Sequence, residues 1–299
     1  MIVVIVGPTG VGKTAVSLEI AKHYQTDIIS GDAVQVYRQL NIGSAKITAE
    51  EMQGISHHMI DILDPKEPFS VALYQKHVRA IINTMIAQGK LPLLVGGTGF
   101  YIKSVLHDFN FTNTKRNHDF ETENENIDNQ TLHDRLKAID PQTASNIHPN
   151  NRKRLLHALS RAQTNNPLSA ETNHQKALYP YIMVGLRKDR KKLYEIINQR
   201  VLKMIESGLI EEAKSLFDQN IRGTSTEAIG YKELYGYFDG EYDLDEAIRL
   251  IQRNSRRYAK RQMTYLNHQF NVQWIDVDQK TILEVANEAV KHIEKALKN

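Results

Sequence analysis

The fold is decided close to the start of the chain, by residues 2–14, which read Ile2-Val3-Val4-Ile5-Val6-Gly7-Pro8-Thr9-Gly10-Val11-Gly12-Lys13-Thr14. The run of Ile and Val predicts a buried strand, because β-branched side chains are enriched in strands. The rest matches the phosphate-loop pattern G-x-x-x-x-G-K-S/T in full, between a strand and a helix. Its glycines let backbone N–H groups turn around an anion, and the helix N-terminus adds its dipole. The sequence therefore predicts phosphate binding by Gly7, Pro8, Thr9, Gly10, Val11, Gly12, Lys13 and Thr14, with the Thr14 hydroxyl as a ligand for Mg²⁺.

Strand and helix signals alternate along the chain around this loop. The predicted strands are Ile2–Val6, Asp27–Ser30, Leu91–Val95, Tyr181–Val184 and Val272–Ile275. The predicted helices are Lys13–His23, Ser70–Gln88, Thr131–Ala138, Arg152–Gln163, Arg190–Glu206, Ile210–Phe217, Ser225–Phe238, Leu244–Asn267 and Gln279–Leu297. Strands joined by helices in short spans form right-handed parallel units. The expected fold class is therefore α/β, a P-loop parallel-sheet core with helices on both faces.

The alternation breaks after about residue 111. The stretch that follows is rich in Asn, Thr and acidic residues and has no clear periodicity, and two helical segments then precede the next apolar strand. We interpret residues 112–178 as a small helical lobe inserted into the first domain. The core domain then consists of residues 1–111 and 179–299, including the C-terminal helices.

Composition excludes several classes of protein. The 299 residues are 41% hydrophobic and 24% charged, as in ordinary globular proteins, and they include no cysteine, so disulfides and thiol nucleophiles are excluded. No apolar run reaches the roughly 18 residues of a membrane span. Because the first strand begins at Ile2, we expect no signal peptide. We expect a cytoplasmic monomer with no membrane partner.

Two strand ends carry the residues of chemical interest. Asp32 follows the second strand, and the carboxyl edge of a parallel sheet is where ligands bind. Its carboxylate can act as a general base or can cap the following turn. Gln35 is suited to a base edge, or it can simply face solvent. The third apolar strand ends in Gly96-Gly97-Thr98, without the Asp of most NTPases, which disfavours NTP hydrolysis; small-molecule kinases can also lack that Asp.

The longer motifs resemble one family, the tRNA dimethylallyltransferases. After the phosphate loop the shared segments are Asp32-Ala33-Val34-Gln35-Val36-Tyr37-Arg38, Asn41-Ile42-Gly43-Ser44-Ala45-Lys46, His57-His58-Met59-Ile60-Asp61, residues 92–101, Ile147-His148-Pro149-Asn150, Gly230-Tyr231 and residues 258–264. The resemblance covers nearly the whole chain. It implies transfer of a dimethylallyl group from dimethylallyl diphosphate to the exocyclic amine of an adenosine beside the anticodon of tRNA, with the loop holding the leaving diphosphate.

The resemblance also implies roles for individual residues. Asp32 accepts a hydrogen bond or proton from the attacking amine, Thr98 contacts the reacting nucleotide, and Arg200 meets the diphosphate. A second arginine of the family pattern is Ile196 here, and the family's Gln-Arg-x-x-Arg segment reads Lys153-Arg154-Leu155-Leu156-His157. The tRNA-binding residues expected from this comparison are Asp32, Ala33, Val34, Gln35, Thr98, Lys153, Arg154, His157, Arg256 and Arg257.

Basic residues cluster between positions 249 and 261, where there is no acid. They are Arg249, Arg253, Arg256, Arg257, Lys260 and Arg261. Such a stripe can be an ordinary solvated face; combined with the resemblance, we interpret it as a tRNA-facing surface in which Tyr258 and Tyr265 provide platforms for unstacked bases. The paired His57 and His58 lack a third nitrogen ligand nearby, which favours a structural role over a metal site.

Three alternatives stay open from the residues themselves. A small-molecule or nucleoside kinase would use the same loop and an Asp base, but it would not need the basic stripe or the inserted lobe. A non-enzymatic RNA-binding ATPase is disfavoured by the missing second Asp. Within the resembled family, prenylation of free adenine nucleotides would leave the basic helix with little to bind.

Overall fold

The computed structural model describes residues 1–109, 111, 118–163, 167–168 and 176–298. The chain divides into two compact units, one made of residues 1–106 and 178–299 and the other of residues 107–177. The sequence predicted an inserted lobe of residues 112–178, whereas the second unit consists of residues 107–177. Residue 112 itself lies outside the described residues. The second unit is an insertion between two strands of the first.

The first unit is built on one parallel sheet. Its strands are β1 (Ile2–Val6), β2 (Ile28–Gly31), β3 (His57–His58), β4 (Leu93–Gly96), β5 (Tyr181–Arg187) and β6 (Gln273–Asp276). Their order is β3-β2-β4-β1-β5-β6, with every neighbouring pair parallel. The predicted α/β class is confirmed. The two-residue strand β3 was not predicted, because a pair of half-buried histidines has no strand-like apolar pattern.

Helices connect these strands and form the second unit. In chain order they are α1 (Lys13–Tyr24), α2 (Val71–Ala87), α3 (Gly99–Leu106), α4 (His118–Glu123), α5 (Asn129–Ile139), α6 (Pro141–Ser145), α7 (Arg152–Gln163), α8 (Arg190–Glu206), α9 (Leu209–Asp218), α10 (Tyr231–Phe238), α11 (Leu244–Gln269) and α12 (Ile282–Leu297). Strand β1 is fully buried, and its alternate side chains enter two different core clusters. Helices therefore cover both faces of the sheet, as expected. No helix in the described part of the chain is long and apolar enough to span a bilayer.

One predicted helix begins too early. Residues 225–238 were expected to be helical throughout, but the helix starts only at Tyr231. Gly230 has φ 105°, which a right-handed helix cannot continue through, and its N–H donates to the Glu233 carboxylate at 2.8 Å. The segment before Gly230 is instead a set of turns that borders a cavity described below.

The second unit contains α4 to α7 around a small core of its own, which includes Leu132, Leu136 and Leu155. Arg152, at the start of α7, donates to the backbone oxygens of Asn124, Glu125 and Ile127 at 2.6–2.7 Å. This arginine therefore ties α7 to the segment before α5. The short helices α4 and α6 were not predicted, because a few residues are too few to show a period.

Candidate active site

The phosphate loop lies at the carboxyl end of the central strand β1. The Lys13 ammonium folds back over the loop and donates to the carbonyl oxygens of Gly7 and Pro8 at 2.9 and 2.8 Å. Gly12 caps α1 without a side-chain hydrogen bond, so the first N–H groups of the helix are available to an anion. Burial lowers the pKa of Lys13 to about 8, Asp32 opposes this shift, and the nearby Arg200 adds to it. An anionic ligand bound in the loop would therefore stabilise the charged form of Lys13.

Two side chains from distant helices hold the tip of this loop. Gln262 of α11 accepts a hydrogen bond from the Thr9 N–H at 2.9 Å. Arg200 of α8 donates to the Thr9 hydroxyl at 3.1 Å. Arg200 is partly buried, which lowers the pKa of its guanidinium, while the Asp32 carboxylate opposes that shift. The arginine chosen from the sequence is therefore part of the loop's surroundings.

The end of β4 explains why no carboxylate follows this strand. A Cβ on Gly97 would lie 2.1 Å from the Gln262 amide nitrogen, and one on Gly96 would lie 2.3 Å from the Gly31 oxygen. The space that an acid would need is filled by helix α11 and by strand β2. Gln262 was missed as a site residue; its place on the buried face of α11 was the signal, since an amide is rarely buried without a partner.

Asp32 stands beyond the end of β2, next to β4 in the sheet. One of its oxygens, Oδ1, accepts from the N–H groups of Val34 and Gln35 at 2.8 and 3.3 Å. The turn-capping role that the sequence left open is therefore present. The same carboxylate influences its neighbours: burial first and Asp32 second raise the pKa of Tyr258 to about 12. Its role as a general base stays a prediction.

Two cavities meet at Asp32. The first, of about 460 Å³, is bordered by the phosphate loop and by apolar side chains that include Ile28 and Ile47. The second, of about 340 Å³, is bordered by residues from β2's loop, α8 and the turns before α10. The residues that border both are Thr9, Asp32, Ser44, Ala45, Arg200 and Tyr258. The site is therefore a two-chambered cavity with a carboxylate, a guanidinium and a phenol at the junction.

The predicted site residues of the first unit are distributed over both chambers. Thr98 borders the second cavity, and its hydroxyl lies 3.3 Å from the Tyr258 hydroxyl. Ala33 and Val34 border the second cavity as well. Gln35 borders the first, but its amide is engaged internally: Oε1 accepts from Ser30, and Nε2 donates to backbone oxygens of the following loop. Its contact with a base stays a prediction beside this structural role.

Helix α8 contributes more than the sequence suggested. Ile196, which stands where the resembled pattern has an arginine, borders the first cavity, and so does Lys203 farther along the helix. Lys203 was not predicted, because a lone exposed lysine on a helix is usually a solvated residue.

The basic residues of α11 separate into two groups. Arg249, Arg253, Arg256, Arg257 and Lys260 fall within about 100° of the helix circumference, opposite its buried side. In this group Arg249 forms an ion pair with Glu246, and Arg256 donates a hydrogen bond to Asn198 of α8. Arg257 and Lys260 are exposed and make no ion pair with the described residues. Arg261 instead borders the second cavity, 5.7 Å from the centre of the Tyr258 ring.

The two tyrosines of α11 are not platforms on this stripe. Tyr258 borders both cavities, and Tyr265 packs against Gly99, where a Cβ would lie 2.4 Å from its ring. Both project from the side of α11 opposite the basic stripe, so their expected place on that stripe was wrong, and a platform role for a base stays a prediction.

Three further predicted residues lie in the second unit. Lys153, Arg154 and His157 are all exposed on α7. Their contact with tRNA stays a prediction.

The paired histidines are used structurally. His57 Nδ1 lies 2.9 Å from the Ile55 oxygen, and His58 Nε2 lies 3.2 Å from Asp27, which Lys90 also contacts. Among the described residues no group of three His, Asp or Glu side chains is placed to hold a metal ion. The preference for a structural role agrees with these contacts.

A parallel sheet with a phosphate loop on its central strand and a two-chambered cavity at its carboxyl edge defines a P-loop α/β protein. Family models narrow this class: the model described as IPP transferase matches residues 35–269, and one described as isopentenyl transferase matches residues 1–68. The chain belongs to the IPP transferase family. It is accordingly a transferase, and the kinase alternative is not favoured.

Relatives support the same assignment. The chain is 47% identical to a tRNA dimethylallyltransferase of Halalkalibacterium halodurans, with 96% of this chain and 95% of that protein covered. It is 46% identical to the Bacillus subtilis protein of the same name, covering 97% and 95% of the two chains. The crystal structure of a full-length tRNA isopentenylpyrophosphate transferase from Bacillus halodurans matches with a TM-score of 0.75 at 46% identity, covering 99% of this chain and 98% of that one.

Proposed function

We propose that this chain transfers a dimethylallyl group from dimethylallyl diphosphate to the exocyclic amine of an adenosine beside the anticodon of tRNA. The observation that carries this proposal is the junction of two chambers at Asp32. One chamber has the phosphate loop at its floor, which suits a diphosphate. The other opens from Asp32 toward residues of α8, of α11 and of the turns before α10, which suits the acceptor base.

The chemistry is a substitution at an allylic carbon. The amine nitrogen attacks the first carbon of the allylic group, a C–N bond forms, and the bond from that carbon to the diphosphate oxygen breaks. The proton lost from the nitrogen goes to the Asp32 carboxylate, whose Oδ1 is held by two backbone N–H groups. An aromatic amine is a weak nucleophile, so a positioned carboxylate lowers the barrier to attack.

The leaving diphosphate gains negative charge as the bond breaks. Lys13, Arg200 and the N-terminus of α1 all face the first chamber and stabilise that charge. The partly buried position of both cations strengthens these interactions, because water screens them less.

Mg²⁺ would bind in the same chamber. Thr14 borders it and offers a hydroxyl oxygen, a hard donor of the kind that Mg²⁺ prefers, and diphosphate oxygens and water would complete the shell. The residues present therefore fit this ion. When bound, it would neutralise part of the diphosphate charge.

Recognition of tRNA requires more than the two chambers. An adenosine stacked in an anticodon loop must be extruded before its amine can reach Asp32. The exposed Arg257 and Lys260 of α11 supply phosphate contacts on the same helix that carries Tyr258 and Gln262 into the site. Helix α11 thus links an outer basic surface to the reaction centre.

The test is incubation with unmodified tRNA and dimethylallyl diphosphate in the presence of Mg²⁺, followed by nucleoside analysis. We expect a prenylated adenosine and an equal amount of released diphosphate. A parallel incubation with labelled ATP and nucleosides should show no transfer of the γ-phosphate. Release of diphosphate without prenylated adenosine, or absence of both, would overturn the proposal.

A further inference from the structure

The loop formed by residues 40–46 forms a wall between the two chambers. Ser44 and Ala45 border both cavities, and Gly43 borders the second. This segment is neither helix nor strand, so no ladder of backbone hydrogen bonds fixes it. Its position must come from contacts with other parts of the unit.

One carboxylate holds the first part of the loop, while the Gln35 amide donates to the backbone oxygens of Ser44 and Ala45 at 3.3 Å. Glu212, on α9, accepts hydrogen bonds from three consecutive backbone N–H groups, those of Asn41, Ile42 and Gly43, at 2.9–3.0 Å. The Tyr231 hydroxyl of α10 donates to the same carboxylate at 2.6 Å. Hydrogen bonds to an ionised acceptor are stronger than neutral ones, and here four donors share one. Glu212 therefore joins the loop to two helices at a single point.

The Tyr231 ring packs against the loop at Gly43. The ring is fully buried, and a Cβ on Gly43 would lie 2.5 Å from that ring, so the loop can rest on it only because residue 43 is glycine. Burial, together with the Glu212 charge, raises the pKa of the Tyr231 phenol, which keeps it a hydrogen-bond donor. The contact is thus a charge-assisted network rather than a chance surface bond.

The far end of the loop is held separately. Lys46 donates to the Tyr37 oxygen at 2.7 Å, to Asn41 Oδ1 at 2.8 Å and to Asp61 Oδ1 at 2.5 Å. Loss of Glu212 would therefore release the N–H groups of residues 41–43, while Lys46 still contacts Tyr37, Asp61 and the Asn41 side chain. A variant at this position should fold and still report on loop position.

We propose that Glu212 is a positioning residue for the transfer reaction. By holding the amides of residues 41–43, it sets the wall of the second chamber against which the acceptor base lies when its amine meets Asp32. This inference rests on the proposed function. Because Glu212 borders neither cavity, it acts through the loop and touches neither substrate.

The decisive variant is Glu212→Gln, which keeps the shape but replaces one acceptor oxygen with a donor facing donors. Glu211→Gln is the matched control, since it makes the same change on the next residue of α9, which is exposed. Four measurements apply: amide hydrogen exchange of residues 41–43, steady-state kinetics with tRNA and with dimethylallyl diphosphate varied separately, affinity for inorganic pyrophosphate, and the unfolding midpoint.

For Glu212→Gln we expect amide exchange at residues 41–43 to accelerate by about tenfold or more, as loss of a charged acceptor implies. The kcat/KM for tRNA should fall by a similar factor, whereas affinity for inorganic pyrophosphate should stay within about twofold, because the phosphate loop is held by other residues. Tyr231→Phe, which removes one donor of four, should change the same quantities in the same direction but less. Glu211→Gln should match the wild type.

Two results would overturn the positioning role. One is unchanged kcat/KM for tRNA in Glu212→Gln despite faster exchange; the other is an equal loss of tRNA and pyrophosphate binding together with a lowered unfolding midpoint, which would indicate a purely structural contact. If wild-type protein forms no prenylated adenosine, the proposed function fails and this role fails with it. If the wild type is active and Glu212→Gln is equally active, the positioning role of Glu212 is rejected but the proposed function is not.

Discussion

The amide oxygen of Gln262 accepts a hydrogen bond from the backbone N–H of Thr9 at 2.9 Å, so helix α11 holds the tip of a phosphate loop that lies 253 residues earlier in the chain. Gln262 can reach that point because residue 97 has no side chain. The geometry of the phosphate loop therefore depends on a helix whose other side is the exposed basic surface. One residue of α11 therefore contacts the phosphate loop, while the opposite side of the helix carries the exposed basic residues.

Gly97→Ala should destabilise the protein and weaken diphosphate binding. The added methyl would lie 2.1 Å from the Gln262 amide nitrogen, so the Gln262 side chain must shift away from Thr9 or the helix must move. Overpacking of this kind costs about 1–3 kcal/mol of the free energy of unfolding. Urea unfolding and calorimetric titration with pyrophosphate measure the two effects.

A double-mutant cycle with Gln262→Ala provides the control for that prediction. Shortening residue 262 removes the clash, so Gly97→Ala should cost less in the Gln262→Ala background than in the wild type. Additive costs would show that Gly97 matters for a reason other than the approach of Gln262.

Replacement of Asp32 should impair catalysis more than binding. Asp32→Asn keeps an oxygen to accept from the N–H groups of Val34 and Gln35 but cannot take the proton from the amine. We expect kcat to fall by about two orders of magnitude, within the range for loss of a general base, with tRNA affinity nearly unchanged. Single-turnover kinetics and filter binding make the measurement.

Asp32→Ala separates the two roles of this carboxylate. It removes the hydrogen bonds to the turn as well as the base. Any further loss of kcat relative to Asp32→Asn therefore measures what those hydrogen bonds contribute. Wild-type turnover in Asp32→Asn would show that Asp32 only caps the turn, as one interpretation of the sequence allowed.

Diphosphate affinity should depend on pH through Lys13. Its pKa in the free protein is lowered to about 8, mainly by burial. The side chain therefore carries its positive charge below that pH and loses its proton above it. Because a bound anion stabilises the charged form, affinity should weaken as pH rises through about 8, by up to about tenfold per unit. The wild type and Lys13→Met should be titrated with pyrophosphate between pH 7 and pH 9.5, a range of about two and a half units. Ionisation of the ligand is common to both proteins, so their difference isolates Lys13; parallel pH curves would contradict the prediction.

The exposed residues of α11 should contribute to tRNA binding by charge. Arg257→Ala and Lys260→Ala are each expected to weaken binding across different tRNA sequences and to reduce the slope of log K against log salt by about one. Lys291→Ala on α12 is the matched control, an exposed lysine on a helix that packs against α1. If the three variants lose affinity equally, the stripe is only a solvated face.

Local chemistry made the phosphate loop and the sheet predictable. A full loop pattern between a strand and a helix leaves few alternatives, and the long helices α7 and α8 were predicted with their observed bounds. The start of α10 was wrong because the conformation of Gly230 depends on a hydrogen bond to Glu233 that a periodicity cannot express.

In the site, too, some residues could be predicted from local sequence and others depended on distant contacts. Asp32 was identified because strand ends of a parallel sheet share one edge, and Thr98 from the family resemblance; the sheet order puts β4, which precedes Thr98, between β1 and β2. Gln262 and Glu212 were not, since each contacts backbone N–H groups far away in the chain. Lys203 was not, since an exposed lysine on a helix resembles any solvated residue. Tyr258 was identified, but with the wrong surroundings.

The sequence by itself determined which groups are available: a phosphate loop, an acid at a strand end, a basic helix, and a combination of motifs that defines the family. Only the tertiary structure decided how they are combined. It placed Asp32, Arg200 and Tyr258 at the junction of two chambers and set loop 40–46 between them through Glu212. The physical reason is that motifs are set by local backbone and side-chain chemistry, whereas a cavity is the space left where distant elements pack, and its shape depends on all of them at once.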